Sequence, residues 1–153
     1  MQAKDKMVTK KNIEDKVNHS DYYWEKFRNM SITLKHFNLS EFDCPMHKGS
    51  GKYMDETFLI KLDNAREIAG VPFKINSGFR CEAYNKKVGG SKTSSHMNIP
   101  CNAADISTKD SLTRWTILNA LLKAGFTRIG LGNGFIHVDT DKQKSQRVVW
   151  TYY

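Results

Sequence analysis

No stretch of this chain approaches the roughly 18 consecutive apolar residues that a membrane-crossing helix needs, so membrane insertion is not expected. The first twenty residues are highly charged and have no apolar centre, which does not match a secretory signal. The expectation is a protein made in the cytoplasm; if it acts outside a membrane, something else must carry it there. Three cysteines, Cys44, Cys81 and Cys101, are too few for a disulfide framework, although one bridge could form in an oxidising compartment. There is no arginine-rich run and no nucleic-acid motif, so no nucleic-acid partner is expected. Internal repeats and low-complexity tracts are also missing.

What is present is positive charge, +8 in formal net terms, scattered over lysines such as Lys4, Lys10, Lys86, Lys87, Lys142 and Lys144. It favours an anionic partner without choosing one, and a solvated surface accounts for it equally well. At 153 residues the chain suits one domain with a real core. Residues 1–30 read as an extension, charged to His19 and then aromatic at Tyr22, Tyr23, Trp24 and Phe27, a loosely ordered arm that docks on the domain or binds a partner. Residues 31–153 read as the domain.

Ile32 to Cys44 is an ordered lead-in. Asp55 opens a helix with Phe58, Leu59, Leu62, Ala65 and Ala69 on one face, stopped at Gly70. Val71 to Asn76 is a short strand before the Ser77-Gly78 turn, and Arg80 to Asn102 is a long loop of the kind that is functional in small domains. Ala103 to Ser107 is a buried strand carrying Asp105. Thr108 or Asp110 caps a second helix with Leu112, Trp115, Leu118, Leu121 and Leu122 on its apolar face, closed by Gly125, and Trp115 is assigned to the core. Arg128–Leu131, Phe135–Asp139 and Val148–Trp150 are antiparallel strands, the first two joined at Gly132-Asn133-Gly134. The fold class is α+β, helices packed on a small antiparallel sheet.

The chemistry centres on His96, Asp105 and His137. Two neutral imidazoles and a carboxylate could hold zinc with a fourth position open, as in hydrolytic rather than structural sites. Strand alternation puts Phe135, His137 and Asp139 on one face. A lone strand histidine is more often a satisfied or surface imidazole. A second histidine in a polar loop and a strand-held aspartate between apolar neighbours weigh against that reading here.

Ser77-Gly78-Phe79-Arg80, Tyr84-Asn85, Val88-Gly89-Gly90, Ser94-x-His96, Ala103-Ala104-Asp105-Ile106 and Ile136-His137-Val138-Asp139 occur in that order. Over roughly residues 33–150 this pattern resembles the zinc D-alanyl-D-alanine carboxypeptidase and L-alanyl-D-glutamate endopeptidase family of peptidoglycan peptidases. That family includes many bacteriophage endolysins and shares its fold with the Hedgehog signalling domain. The resemblance implies that His96, Asp105 and His137 hold Zn2+, that Arg80 binds a substrate carboxylate or carbonyl, and that Ser94 hydrogen-bonds the substrate. It implies a zinc metallopeptidase acting on peptidoglycan stem peptides, a phage lytic or virion-associated enzyme that meets the wall after release or within a virion. Residues 1–30 would face virion or phage partners.

Two positions depart from the family. His96 and Asp105 are nine apart rather than seven, an enlargement within Asn98–Asn102 that would bulge outward, and Gly134 stands where many relatives carry a glutamate base. Asp139 is then the catalytic candidate for proton transfer, with orientation of a histidine or of Arg80 as its competing role; Glu82 and Asp141 are weaker candidates. The missing glutamate keeps open a non-catalytic, zinc-stabilised wall-binding or structural phage protein. Cys44 and His47, with Cys81, could form a second metal site; a pair of buried thiols or a bridge is the favoured reading.

Overall fold

The structure, a computed structural model, describes residues 32–153; the N-terminal arm lies outside the described residues. Helix α1 spans Glu56–Ala69, strand β1 Ile75–Ser77, helix α2 Glu82–Lys87, strand β2 Ala103–Ser107, helix α3 Ser111–Lys123, and strands β3, β4 and β5 Arg128–Gly132, Phe135–Asp139 and Val148–Thr151. Short 3-10 turns at Leu39–Phe42, Ser50–Tyr53 and Ser95–Met97 complete the set.

Helix α1 forms where its sequence places it. The Asp55 carboxylate accepts the Phe58 amide at 2.7 Å, satisfying a donor that the first turn leaves unpaired, and Gly70 ends the helix at φ 66°. Its buried residues, Phe58, Leu59, Leu62 and Ala65, meet Ile117 and Leu121 of α3 and the sheet residues Ala104, Ile106, Ile129, Ile136 and Val138 in one core. Alternation along β2 and β4 sends those sheet residues to the helices and turns Asp105, His137 and Asp139 to the opposite face.

The sheet order is β1-β2-β4-β3-β5. All neighbours pair antiparallel except β3 and β5, which are parallel, so the sheet is mixed rather than wholly antiparallel. Connectivity explains this. Both edges of β4 are taken by β2 and β3, and the chain leaves β4 at the end where β3 begins. A strand that starts there, with the Val148 amide bonded to the Thr127 carbonyl at 3.0 Å, must run in the direction of β3.

Three further expectations need correction. Arg80 to Asn102 is not one loop: Cys81 caps α2 by accepting the Tyr84 amide on its sulfur at 3.4 Å, and Ser94 opens the 3-10 turn at Ser95–Met97. The stretch has few apolar residues because it borders the cleft, and polarity without periodicity hides a helix this short. Asp110, not Thr108, caps α3 at the Thr113 amide, and the buried stripe of that helix is Ile117, Ala120 and Leu121. Leu121 is buried and Leu118 packs on the core as expected, but Leu112, Trp115 and Leu122 are exposed, Trp115 at 64 %; with apolar residues on most sides of the helix, periodicity alone set the edges of the face wrongly. Finally, β1 is short, beginning only at Ile75.

Candidate metal centre

Asp105 and His137 are direct partners across β2 and β4, and His96 reaches them from the 3-10 turn. That turn is pinned from both sides. The Arg80 amide donates to the His96 carbonyl at 2.9 Å, and His96 Nδ1 lies 2.7 Å from the Gly78 carbonyl. Position 78 must be glycine for this, since a Cβ there would lie 2.6 Å from the Phe42 Cα.

A carbonyl can only accept, so His96 carries its proton on Nδ1 and turns the Nε2 lone pair inward. His137 is fixed in the opposite sense: Nε2 lies 2.7 Å from Asp139 Oδ2, so its proton sits there and the Nδ1 lone pair faces inward. His96 Nε2, Asp105 Oδ1 and His137 Nδ1 therefore converge with separations of 3.2, 3.2 and 2.9 Å. A tetrahedral zinc site with bonds near ~2.0–2.1 Å has ligand edges of about 3.3–3.4 Å, so the donor triangle fits with little adjustment. Three acceptors aimed at one point repel one another unless a cation or proton lies among them. Among the described residues these three are the only group with the spacing and donor atoms to hold a metal ion.

The electrostatics agree. Burial pulls the His96 imidazole below its ordinary pKa and keeps it neutral, as ligation requires. Burial would also lower His137, but the acceptor carboxylates of Asp105 and Asp139 beside its two ring nitrogens outweigh it and the pKa rises. Burial works to raise Asp105, yet the His96 and His137 rings set against it outweigh this and hold its carboxyl well below the usual range. The site favours positive charge.

Around this centre lies a cleft of about 440 Å³. Arg80, Arg128 and Lys144 make its walls cationic, while Phe135, Trp150 and Tyr152 form an aromatic side. Arg80 Nη2 binds the outer oxygen of Asp105 at 2.8 Å, with Nε on the Ser77 hydroxyl at 2.7 Å. Ser94 also lines the cleft, and its hydroxyl accepts the His96 amide at 3.3 Å, closing the turn that carries His96.

Asp139 stands behind the centre. One oxygen takes the His137 ring proton; the other accepts from Arg128 Nε at 2.7 Å and the Asp141 amide at 3.0 Å, and the side chain is 1 % exposed. Of its two sequence-level roles, this is the geometry of the orienting one, because both oxygens are engaged away from the donor triangle. Asp141 does not line the cleft: it accepts from Ser95 Oγ at 2.8 Å and Asn98 Nδ2 at 3.0 Å and so fastens the loop that carries His96. Neither Glu82 nor Gly134 lines the cleft; Gly134 forms the β3–β4 turn at φ 85°. The enlarged loop does not simply bulge out. Pro100 is exposed, but Ile99 packs on the core and Cys101 is fully buried, its thiol pushed up to about 12 by burial.

Cys44 and Cys81 are buried neighbours with sulfurs 3.4 Å apart, and His47 does not join them in a metal group. Arg128, Lys144, Trp150 and Tyr152 are site residues that sequence reasoning missed. Arg128 alone left a trace, a charge opening an apolar strand.

A buried two-histidine, one-aspartate group in an α+β fold defines a protein that could bind a metal ion. The family model described as Peptidase M15 matches residues 35–139, and the chain belongs to that family, the zinc peptidases of D-alanyl-D-alanine carboxypeptidase type. No curated protein matches the chain.

Proposed function

We propose that the chain is a zinc-dependent peptidase that hydrolyses peptidoglycan stem peptides, cutting a D-alanyl-D-alanine or L-alanyl-D-glutamate type bond. The observation that carries this reading is the convergence of His96 Nε2, Asp105 Oδ1 and His137 Nδ1 within 3.2 Å of one another, each with its lone pair inward. Zinc held there would supply Lewis acidity, polarising a peptide carbonyl and making water nucleophilic near neutral pH.

The chain's own residues do the rest. Gly78 O and Asp139 Oδ2 hold the outer protons of the two imidazoles, fixing which nitrogen faces the cleft. Arg80, already oriented by Ser77 and Asp105, offers its guanidinium to a substrate carboxylate or carbonyl, and Ser94 offers a hydroxyl on the same wall. Trp150, Tyr152 and Phe135 cover the apolar side of a bound peptide and displace water from it. The cationic walls and the net charge of +8 suit an anionic cell wall, which makes a bacteriophage lytic enzyme the setting we propose.

Purified peptidoglycan incubated with the protein, with and without a chelator, tests this. Mass spectrometry is expected to find new amine termini that vanish when metal is removed, and the fragments identify the bond. Wall binding without cleavage would instead leave the domain as a wall-binding module.

A further inference from the structure

Arg128 opens β3 beside Asp139 and is only 7 % exposed. Its Nε binds Asp139 Oδ1 at 2.7 Å, and Nη1 donates to the Ser145 carbonyl. The guanidinium lies over the Trp150 ring at 5.1 Å, and Trp150 in turn packs on the His137 ring at 5.5 Å. Trp150 can lie there because position 130 is glycine; a Cβ would come within 2.7 Å of the indole. Two routes from Arg128 thus meet at one imidazole, a charged one through Asp139 and a packed one through Trp150.

We infer that Arg128 is a positioning residue that sets the affinity of the centre for a divalent transition-metal cation. The inference rests on reading His96, Asp105 and His137 as a metal centre. A carboxylate as enclosed as Asp139 is held in one orientation by its charged partner, Arg128, at 2.7 Å. Without Arg128, Asp139 loses the contact that fixes its Oδ1 and is free to turn away, and His137 Nε2 then loses the acceptor that holds its proton there. The ligand nitrogen is then no longer reserved for the metal.

The test measures binding of Zn2+, by competition with a chromophoric chelator, to the full-length protein and to Arg128→Met, Arg128→Lys, Asp139→Asn and the Arg128→Met/Asp139→Asn double variant. Loss of an outer-shell partner costs roughly 10–100-fold in metal affinity. Arg128→Met is expected to lose that much, with Arg128→Lys between it and wild type because it keeps charge but not the planar fork. The double variant is expected to lose far less affinity than the two single losses multiplied together, since the charged route from Arg128 runs through Asp139. Co2+ absorption should change in Arg128→Met as the ligand field loosens. Denaturant unfolding of the metal-free proteins separates a merely structural role, which would lower the midpoint and leave the affinity of folded protein unchanged. If Arg128→Met does not fold, Arg128→Lys decides. Tight wild-type binding with unchanged affinity in the folded variants overturns this inference alone; a wild type that binds neither Zn2+ nor Co2+ overturns the metal centre and the inference with it.

Discussion

Asp105 and His137 sit opposite each other on β2 and β4, with Asp105 Oδ1 2.9 Å from His137 Nδ1. Their register makes the centre a property of the sheet rather than of a loop, so two of its three donors are held by ladder hydrogen bonds.

Replacing His137 with alanine should therefore remove metal binding while sparing the fold, since Ile136 and Val138 keep the core side of β4. Metal content by mass spectrometry is expected to fall from about one zinc per chain to background, and hydrolysis with it. Retained zinc at wild-type stoichiometry would refute the ligand assignment.

Asp139→Asn distinguishes orientation from base catalysis. The amide keeps the size but loses the charge that faces Arg128 and the His137 ring proton. Zinc affinity is expected to drop about 10–100-fold. If affinity is unchanged and kcat alone collapses at saturating zinc, Asp139 is the proton acceptor.

Arg80→Lys should keep zinc and lose substrate. A lysine cannot span Ser77 and Asp105 while presenting a planar fork to the cleft. Losing one charge-assisted hydrogen bond, ~1.5–3 kcal/mol, corresponds to a fall in kcat/KM of about 10–100-fold, with metal content unaltered.

Asp141 ties the ligand loop to the strand end. Burial works to raise its carboxyl, but hydrogen bonds from Ser95 and Asn98 outweigh this and hold it below its ordinary 3.8. Because the folded pKa is depressed, its stabilisation is complete above about pH 4 and fades as pH falls through the lower folded value. Asp141→Ala should lose about 1–3 kcal/mol near neutrality and show a shallower acid decline, both read from denaturant curves.

The exposed and buried faces of α3 can be compared directly. Trp115→Ser is expected to change stability by less than ~0.5 kcal/mol, and Leu121→Ala to cost about 2–5 kcal/mol, because Trp115 is largely in solvent and Leu121 is fully enclosed.

Local chemistry was legible in the sequence wherever neighbouring residues decide it. Asp55 and Gly70 bound α1 through a cap and a positive φ, and alternation in Phe135–Asp139 separated Ile136 and Val138 from His137 and Asp139. The trio that could hold a metal was legible as residue types in ordered motifs. Tertiary structure alone decided the remainder. Which face of α3 is buried depends on how the helix lies against α1 and the sheet, not on its own period. The direction of β5 follows from which sheet edge is vacant. The engagement of Asp139 by Arg128, eleven residues away, depends on β3 lying beside β4. A sequence names the groups that can donate, accept or bind a cation; only the packed chain sets their separations, and hydrogen bonding and ligation depend steeply on separation.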